Sequence, residues 1–498
     1  MKLRYLHLTH RWLGIGLGLF ILLWFLSGLV MLFVAYPQLT SAERLSHLDD
    51  LALQQVKLDV AQAWALTGKQ GEPERVRLAM REHRPAYYFL QNGLWLSVWA
   101  DASPNEHIQV KSVQDKPIKD KSNETAKAEA TRIAEQFQGN AKAMAVTLIN
   151  HDQWSISSSL NEHRPLYRVA LDDAEASELY VASHTGEVVL DTKGTERAWS
   201  WLGSVIHWIY FTPLRMEREI WRQIVLWLAF AGVVLTSLGL WLGIQRIRFN
   251  RRYSHDRVTP YRGWARWHHI VGLNAGVFCM TWLLSGWLSL TPFGWFSDRS
   301  LSAEESARWA GAKLTVQDMK LPLVSSTANR SLTGIKEIEW LRFAGHSYLL
   351  TRNEQQESLI DPQSGVPVTS FSAAVLQAQA SKLGAYGAVA SAHWLSNGDL
   401  YFNQDAQITP KVLRIAFADA LNTTYYVDAR TTKILASQDS NSRVYRWLFN
   451  GLHRMDIPPL GDRLLARRIT IFILSAGGVL LTVAGIVLGW RRVRRKWS

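Results

Sequence analysis

The sequence predicts an α-helical membrane protein with four transmembrane helices and two external α+β domains, built as a tandem duplication with a pseudo-two-fold axis along the membrane normal. Three observations carry this. Four apolar segments lack any charge, lysine and arginine are distributed unevenly beside them, and two sets of residues recur at fixed offsets.

The segments Trp12–Ala35, Ile224–Ile244, Ile270–Phe296 and Ile469–Trp490 hold 24, 21, 27 and 22 residues without a charged side chain. At about 1.5 Å rise per residue each reaches roughly 30 to 40 Å, enough to cross the hydrocarbon core of a bilayer. The first segment is 24 residues long and runs into FVAYPQLTSA, which offers no clear small-x-small cleavage site, so it reads as a retained anchor.

Orientation follows from the cations. Lys2, Arg4 and Arg11 lie before the first span; Arg246, Arg248, Arg251, Arg252, Arg257, Arg262 and Arg266 lie between the second and third; Arg491, Arg492, Arg494, Arg495 and Lys496 follow the fourth. Both termini are therefore expected in the cytoplasm. These flanks hold 15 of the 55 lysines and arginines, so topology accounts for the net charge of +13 and no nucleic-acid partner is expected. The single cysteine, Cys279, excludes an intrachain disulfide, a Cys-rich zinc site and a C-x-x-C-H haem attachment.

The expected order is 1–36, cytoplasmic N-terminus and first span; 37–198, first external domain; 199–245, interfacial segment and second span; 246–266, basic loop. It continues with 267–296, third span; 297–445, second external domain; 446–490, interfacial segment and fourth span; and 491–498, basic tail.

The repeat is explicit. At an offset of 258, His10, Gly14, Gly18, Phe20, Trp24, Ser27 and Gly28 match His268, Gly272, Gly276, Phe278, Trp282, Ser285 and Gly286. At an offset of 246, Arg168, Tyr180, Trp201, His207, Arg222, Gly239 and Gly243 match Arg414, Tyr426, Trp447, His453, Arg468, Gly485 and Gly489. Each copy holds two spans, an even number, so both insert with the same orientation.

The external segments read as helix followed by alternating strands. NETAKAEATRIAEQFQ (123–138) has helical spacing and a cap at Asn123, and PLYRVALDD and ELYVASHTGEVVLD alternate. FSAAVLQAQASKLG and VLRIAFADALNTTYYVDARTTKIL repeat the pattern, and the stretches 85–101 and 347–368 suggest a second, shorter module upstream in each domain.

ELYVASHTGEVV and TTYYVDARTTKIL resemble the strand-turn-strand of PepSY domains, and HRWLGIGLGLFILLWFLSG resembles the first helix of PepSY-associated transmembrane proteins. The resemblance covers essentially the whole chain. It implies PepSY-like external domains on the periplasmic side of a cell inner membrane. Because several members are iron-regulated and some are dihaem ferrisiderophore reductases, it also implies reduction of a ferric siderophore. PepSY modules elsewhere inhibit or bind partners, so the alternative is a non-enzymatic, membrane-anchored binding or regulatory protein.

Four histidines fall in equivalent pairs at span edges, His10 with His268 and His207 with His453. One interfacial histidine usually just meets headgroups. Two related by a pseudo-two-fold axis can face one flat, axially ligated cofactor, and haem meets that requirement, so two non-covalent haem b groups are expected. His7 and His269 are alternative ligands. Gly14 and Gly272 lie one turn from the histidines, as room for a porphyrin or as helix-packing positions. Arg222 and Arg468 suit haem propionates or lipid phosphate. Trp199, Trp201, Trp208, Trp295 and Trp447 form an aromatic belt or a ligand floor. His151, His163, His184 and His393 are expected at the surface.

The expected function is transmembrane electron transfer from a cytoplasmic or quinol donor to an external acceptor, with ferric siderophore as substrate and Fe(II) as product. No G-x-G-x-x-G follows a strand, so a nicotinamide or flavin reductant would be a separate partner. The spans carry no charge of the kind that marks a transport pathway.

Overall fold

Apolar runs of this length have nowhere to hide in a water-soluble core, and in the computed structural model they become four long helices. The structure describes residues 2–103, 120–139, 141–296, 300–321, 332–383, 387–396, 399–402, 411–461 and 463–497. Helices long and apolar enough to cross a membrane span Leu3–Met31, Arg218–Ile244, Gly263–Ser289 and Leu464–Arg495. They belong to one compact unit, residues 1–36, 196–298 and 440–498.

Two span ends differ from the sequence expectation. The first helix stops at Met31 instead of Ala35, and the third stops at Ser289 instead of Phe296. The residue before a proline is driven out of helical geometry, and here Pro292 is flanked by Thr291 and Phe293, both at positive φ (47° and 55°). The apolar stretch from Leu290 onward is an irregular connection.

Small residues let the helices approach. A Cβ built on Gly18 would lie 3.3 Å from Ile486, and one on Gly489 would lie 3.1 Å from Ile15, which joins the first and fourth spans. Gly276 faces Leu240 at 3.1 Å and Gly243 faces Leu273 at 2.9 Å, which joins the third and second. With almost no hydrophobic drive between helices in lipid, such close van der Waals packing holds a bundle together.

The second unit comprises residues 37–195 and 299–439. The two segments expected as separate domains contribute to one compact body. The upstream modules explain why: β1 (Arg75–Arg81), β2 (Arg84–Gln91) and β3 (Leu94–Trp99) share a seven-stranded sheet with β8 (Glu337–Phe343), β9 (His346–Arg352), β10 (Glu357–Ile360) and β11 (Pro367–Val368). The order is β11-β10-β9-β8-β1-β2-β3, and antiparallel pairing of β1 with β8 sets Leu78 opposite Ile338.

The other two sheets are four-stranded: β4 (Lys142–Ile149), β5 (Leu166–Asp172), β6 (Glu178–Ala182) and β7 (Val188–Thr192) in that order, and β12 (Val389–Trp394), β13 (Val412–Phe417), β14 (Thr424–Asp428) and β15 (Ile434–Gln438) in that order. Each is larger than the expected hairpin module by an edge strand, β4 or β12. The helix Asp120–Phe137 lays Ala130, Ile133, Ala134 and Phe137 on Tyr167, Val169, Leu179 and Val181. That spacing of three and four puts all four on one helical face. The helix begins at Asp120, so Asn123 lies inside it and is not its cap. In the other sheet Leu376 and Ala380 of the helix Ala373–Ser381 cover Leu413, Ile415 and Tyr425.

One trio recurs. Tyr180 donates its hydroxyl to Asp152 at 2.7 Å and Arg168 stands 3.6 Å from the same carboxylate; Tyr426 and Arg414 do the same with Asp399 at 3.2 Å and 3.6 Å.

The β1–β8 seam holds a buried ion network. Glu337, 1% exposed, accepts from Arg77 at 2.9 Å and Arg352 at 2.6 Å and pairs with Arg44 at 2.9 Å. Arg77 also grips Glu187 with both guanidinium nitrogens at 3.0 Å and lies over the Trp95 ring at 4.3 Å. Charges this deep are tolerated only when paired, and of the Arg77 guanidinium only Nε lacks a hydrogen-bond partner.

Candidate functional site

The four paired histidines come together as two facing pairs. The ring centres of His10 and His268 are 6.3 Å apart, and those of His207 and His453 are 6.2 Å apart. The pairs sit at opposite ends of the first span, since His10 lies in its first turns and the His207 ring packs on Gly28. The 18 helical steps from His10 to Gly28 correspond to about 27 Å of helix.

His10 and His268 belong to the first and third spans, and each reaches across to a neighbouring helix. His10 Nδ1 is 3.1 Å from the Leu235 carbonyl of the second span, and His268 Nδ1 is 3.2 Å from the Leu481 carbonyl of the fourth. A carbonyl only accepts, so Nδ1 carries the proton and Nε2 keeps its lone pair. Glycine makes the reach feasible. A Cβ on Gly239 would stand 2.7 Å from His10 Cε1, and one on Gly485 would stand 3.1 Å from His268 Cε1.

His207 and His453 arrive differently. Each follows a π-helical turn, Trp201–Val205 or Arg446–Gly451, and is the middle residue of a three-residue helix, Ile206–Trp208 or Leu452–Arg454. A left-handed residue then reverses the chain, Ile209 at φ 54° and Met455 at φ 52°. π-Turns are uncommon and concentrate where a side chain must be re-aimed. The His207 ring seats on Gly28 (3.4 Å to a built Cβ) and the His453 ring on Gly286 (3.5 Å).

Serine fixes the tautomer at this end. Ser27 and Ser285 each donate to the carbonyl three residues back, Trp24 or Trp282, at 3.1 Å. Their oxygens are then free to accept from Nδ1 of His207 at 3.2 Å and of His453 at 3.0 Å. Both rings therefore present Nε2. On the far side of His453, Phe449 stacks at 5.2 Å and Tyr445 stacks on Phe449 at 5.6 Å.

Around His10 and His268 lies a cavity of about 390 Å³, within the range of small-molecule sites. Gly14, Gly18, Gly272, Gly276 and the glycines of the facing spans line it, together with leucine and isoleucine. Gly14 and Gly272 do line the cavity. The glycines that touch the rings, however, are Gly239 and Gly485 on the opposite helices.

The alternative ligands His7 and His269 line the same cavity as His10 and His268. His269 directs Nε2 to the Gly243 carbonyl at 2.9 Å, which leaves Nδ1 as its bare nitrogen, and its ring meets Tyr261 edge-on. His7 lines the cavity with Nε2 buried and unpartnered. The fork of Arg222 is filled by Glu219 at 2.8 and 3.0 Å, and Arg468 is exposed. Of the five tryptophans expected as a belt or a ligand floor, Trp199, Trp201 and Trp295 are exposed and Trp208 and Trp447 are half-buried. His163 departs from the surface expectation: it is half-buried and stacks on Trp95 with its ring tilted by only 11°.

Do these residues fit an axially ligated haem? A metal–imidazole nitrogen bond is about 2 Å, so two imidazoles in line across one metal hold their ring centres about 6 Å apart. Both pairs meet that spacing with the required nitrogen bare. The hydrogen bond on the other nitrogen is the support that metal-bound histidines ordinarily have. The chain fits the group.

Sequence reading missed the seating glycines as contacts of the histidines and missed Ser27 and Ser285 as their partners. The signal was there: all of them recur at the offsets of 258 or 246.

The model of a family described as PepSY-associated TM region matches residues 8–492. No curated protein matches the chain.

Proposed function

Because the chain belongs to the PepSY-associated transmembrane family, whose model spans nearly all of it, we propose that it is a dihaem electron-transfer protein of the inner membrane that reduces ferric siderophores on the periplasmic side. The observation that carries this reading is the common state of the four histidines. Each has its Nδ1 proton committed to an oxygen and its Nε2 bare, in two pairs 6.3 Å and 6.2 Å apart.

Bound haem supplies a one-electron Fe(III)/Fe(II) couple. The chain supplies the rest. Leu235, Leu481, Ser27 and Ser285 hold the imidazoles in one tautomer, and Gly239, Gly485, Gly28 and Gly286 let the rings lie close to the helix backbones. Two sites about 27 Å apart along one span match the thickness of a bilayer core, as a transmembrane electron path needs.

We further read the chain as a tandem duplication with a pseudo-two-fold axis along the membrane normal. The recurring contacts support this: His10 to Leu235 and His268 to Leu481, Ser27 to His207 and Ser285 to His453. Cytoplasmic termini follow from the arginine-rich flanks. The His207 and His453 pair then lies at the periplasmic end, where it would meet the acceptor. Ferric siderophore suits the chemistry, since hard oxygen ligands hold Fe(III) well and release the softer Fe(II). The donor is a cytoplasmic reductant or a quinol.

The absorption spectrum of the purified full-length chain tests the reading. Two low-spin, non-covalent haems per chain are expected, and after chemical reduction they should be reoxidised by a membrane-impermeant ferric siderophore added to the periplasmic side of sealed vesicles. A colourless protein from haem-replete cells would replace this reading with a binding or regulatory module.

A further inference from the structure

The cavity at His10 and His268 has an edge whose chemistry differs from the rest. Among its lining residues there is no aspartate or glutamate, and its only permanently charged side chains are Arg11 and Arg492. Both are exposed, and neither makes a hydrogen bond or ion pair among the described residues.

The two arginines are close in height on adjacent helices. The first and fourth spans run antiparallel, with Gly18 against Ile486 and Gly489 against Ile15. Continuing that register by one turn brings Arg11 level with Arg492 to within one residue. The repeat does not impose this. The position equivalent to Arg11 is His269, which is spent on the Gly243 carbonyl, and the position equivalent to Arg492 is Arg246, which does not line the cavity. Two guanidinium groups therefore gather on one side of a chamber whose other lining residues carry no permanent charge. Neighbouring like charges repel unless an anion lies between them.

We propose that Arg11 and Arg492 are the carboxylate-binding edge of this cavity, holding the two propionates of the haem that His10 and His268 would ligate. The inference rests on the haem reading above. Arginine's planar fork matches a carboxylate bidentately, and haem b joins a flat apolar body to two carboxylates on one edge. The carboxylate edge thus lies at the seam of the first and fourth spans and the apolar edge faces the leucines. Arg222 and Arg468 are not needed for this haem, being at the opposite ends of their helices.

The probes are haem b and its dimethyl ester, in which both carboxylates are masked. They are titrated into apo full-length protein, as wild type and as R11Q R492Q, and the site is identified by the absorption change that His268→Ala removes. Wild type should prefer haem over the ester by about tenfold or more, and the double variant should lose that preference by weakening haem alone, because each charge-assisted bond is worth about a factor of ten. In the unstripped protein, R11Q R492Q should also shift the midpoint potential of one haem to more negative values and leave the other unchanged, since nearby cations destabilise the oxidised haem, which carries one more positive charge, and their removal favours it. That second measurement stands if apo protein does not refold. Haem bound with undiminished preference and unshifted potential in the double variant overturns the proposal and leaves lipid phosphate as the partner of these arginines. Wild-type chain that binds no haem overturns the parent reading instead.

Discussion

Gly239 lies so close to His10 that a single added methyl group would stand 2.7 Å from the imidazole Cε1, nearer than a side chain can approach. The ring must move, and with it the Nδ1 bond to the Leu235 carbonyl. On the proposed dihaem reading, Gly239→Ala should therefore lose or perturb the haem assigned to the His10 and His268 pair while the other keeps its spectrum. Gly16→Ala is the control, because that glycine is exposed and nothing lies within 4 Å of a built Cβ. Equal spectral effects from both variants would remove glycine seating as an explanation.

Separate ends of the bundle should respond separately. His10→Ala and His268→Ala should each abolish the same spectral component, and His207→Ala and His453→Ala the other, with haem content falling from two per chain towards one. Extracted haem measured against protein decides it. Loss of both haems on each substitution, with a normal melting profile, would contradict two independent sites.

The sequence revealed most of the membrane half because lipid leaves few choices. A charge-free run of more than 20 residues has to be a helix, and identical residues at a fixed offset have to occupy like surroundings. It overran at Phe296, where Thr291 and Pro292 break the helix that hydrophobicity alone would continue. The sheet unit was harder to read. Pairing of β1 with β8 joins residues about 260 positions apart, and nothing local in RVRLAMR or EIEWLRF announces its partner. The π-turns before His207 and His453 were likewise hidden, since an inserted helical residue leaves no mark in composition.

Topology is open to a direct assay. On the proposed topology, in which the arginine-rich 246–266 loop is cytoplasmic, a reporter active only outside the cytoplasm should function when fused after Gly139 or Gly365 and stay silent after Arg257 or Ser498. Activity at Arg257 would exchange the faces of the two histidine pairs.

Glu337 should govern the acid stability of the sheet unit. Burial alone would raise its pKa, but Arg77, Arg44 and Arg352 outweigh burial and hold the carboxyl at about 2. Replacing it by glutamine leaves three guanidinium groups without their shared anion, and breaking a buried pair on one side costs about 3 to 5 kcal/mol. Thermal unfolding of full-length Glu337→Gln in detergent should therefore show a clear loss at pH 7. The folded pKa lies below the unfolded value of about 4.3, so the stabilisation is complete above that pH and is lost as the pH falls through the folded value of about 2. The wild-type advantage over Glu337→Gln should accordingly be flat from pH 7 to about 5 and shrink between about pH 4 and 2. An advantage that persists undiminished at pH 2 would mean that hydrogen-bond geometry, and not the carboxylate's charge, is what Glu337 contributes at the β1–β8 seam.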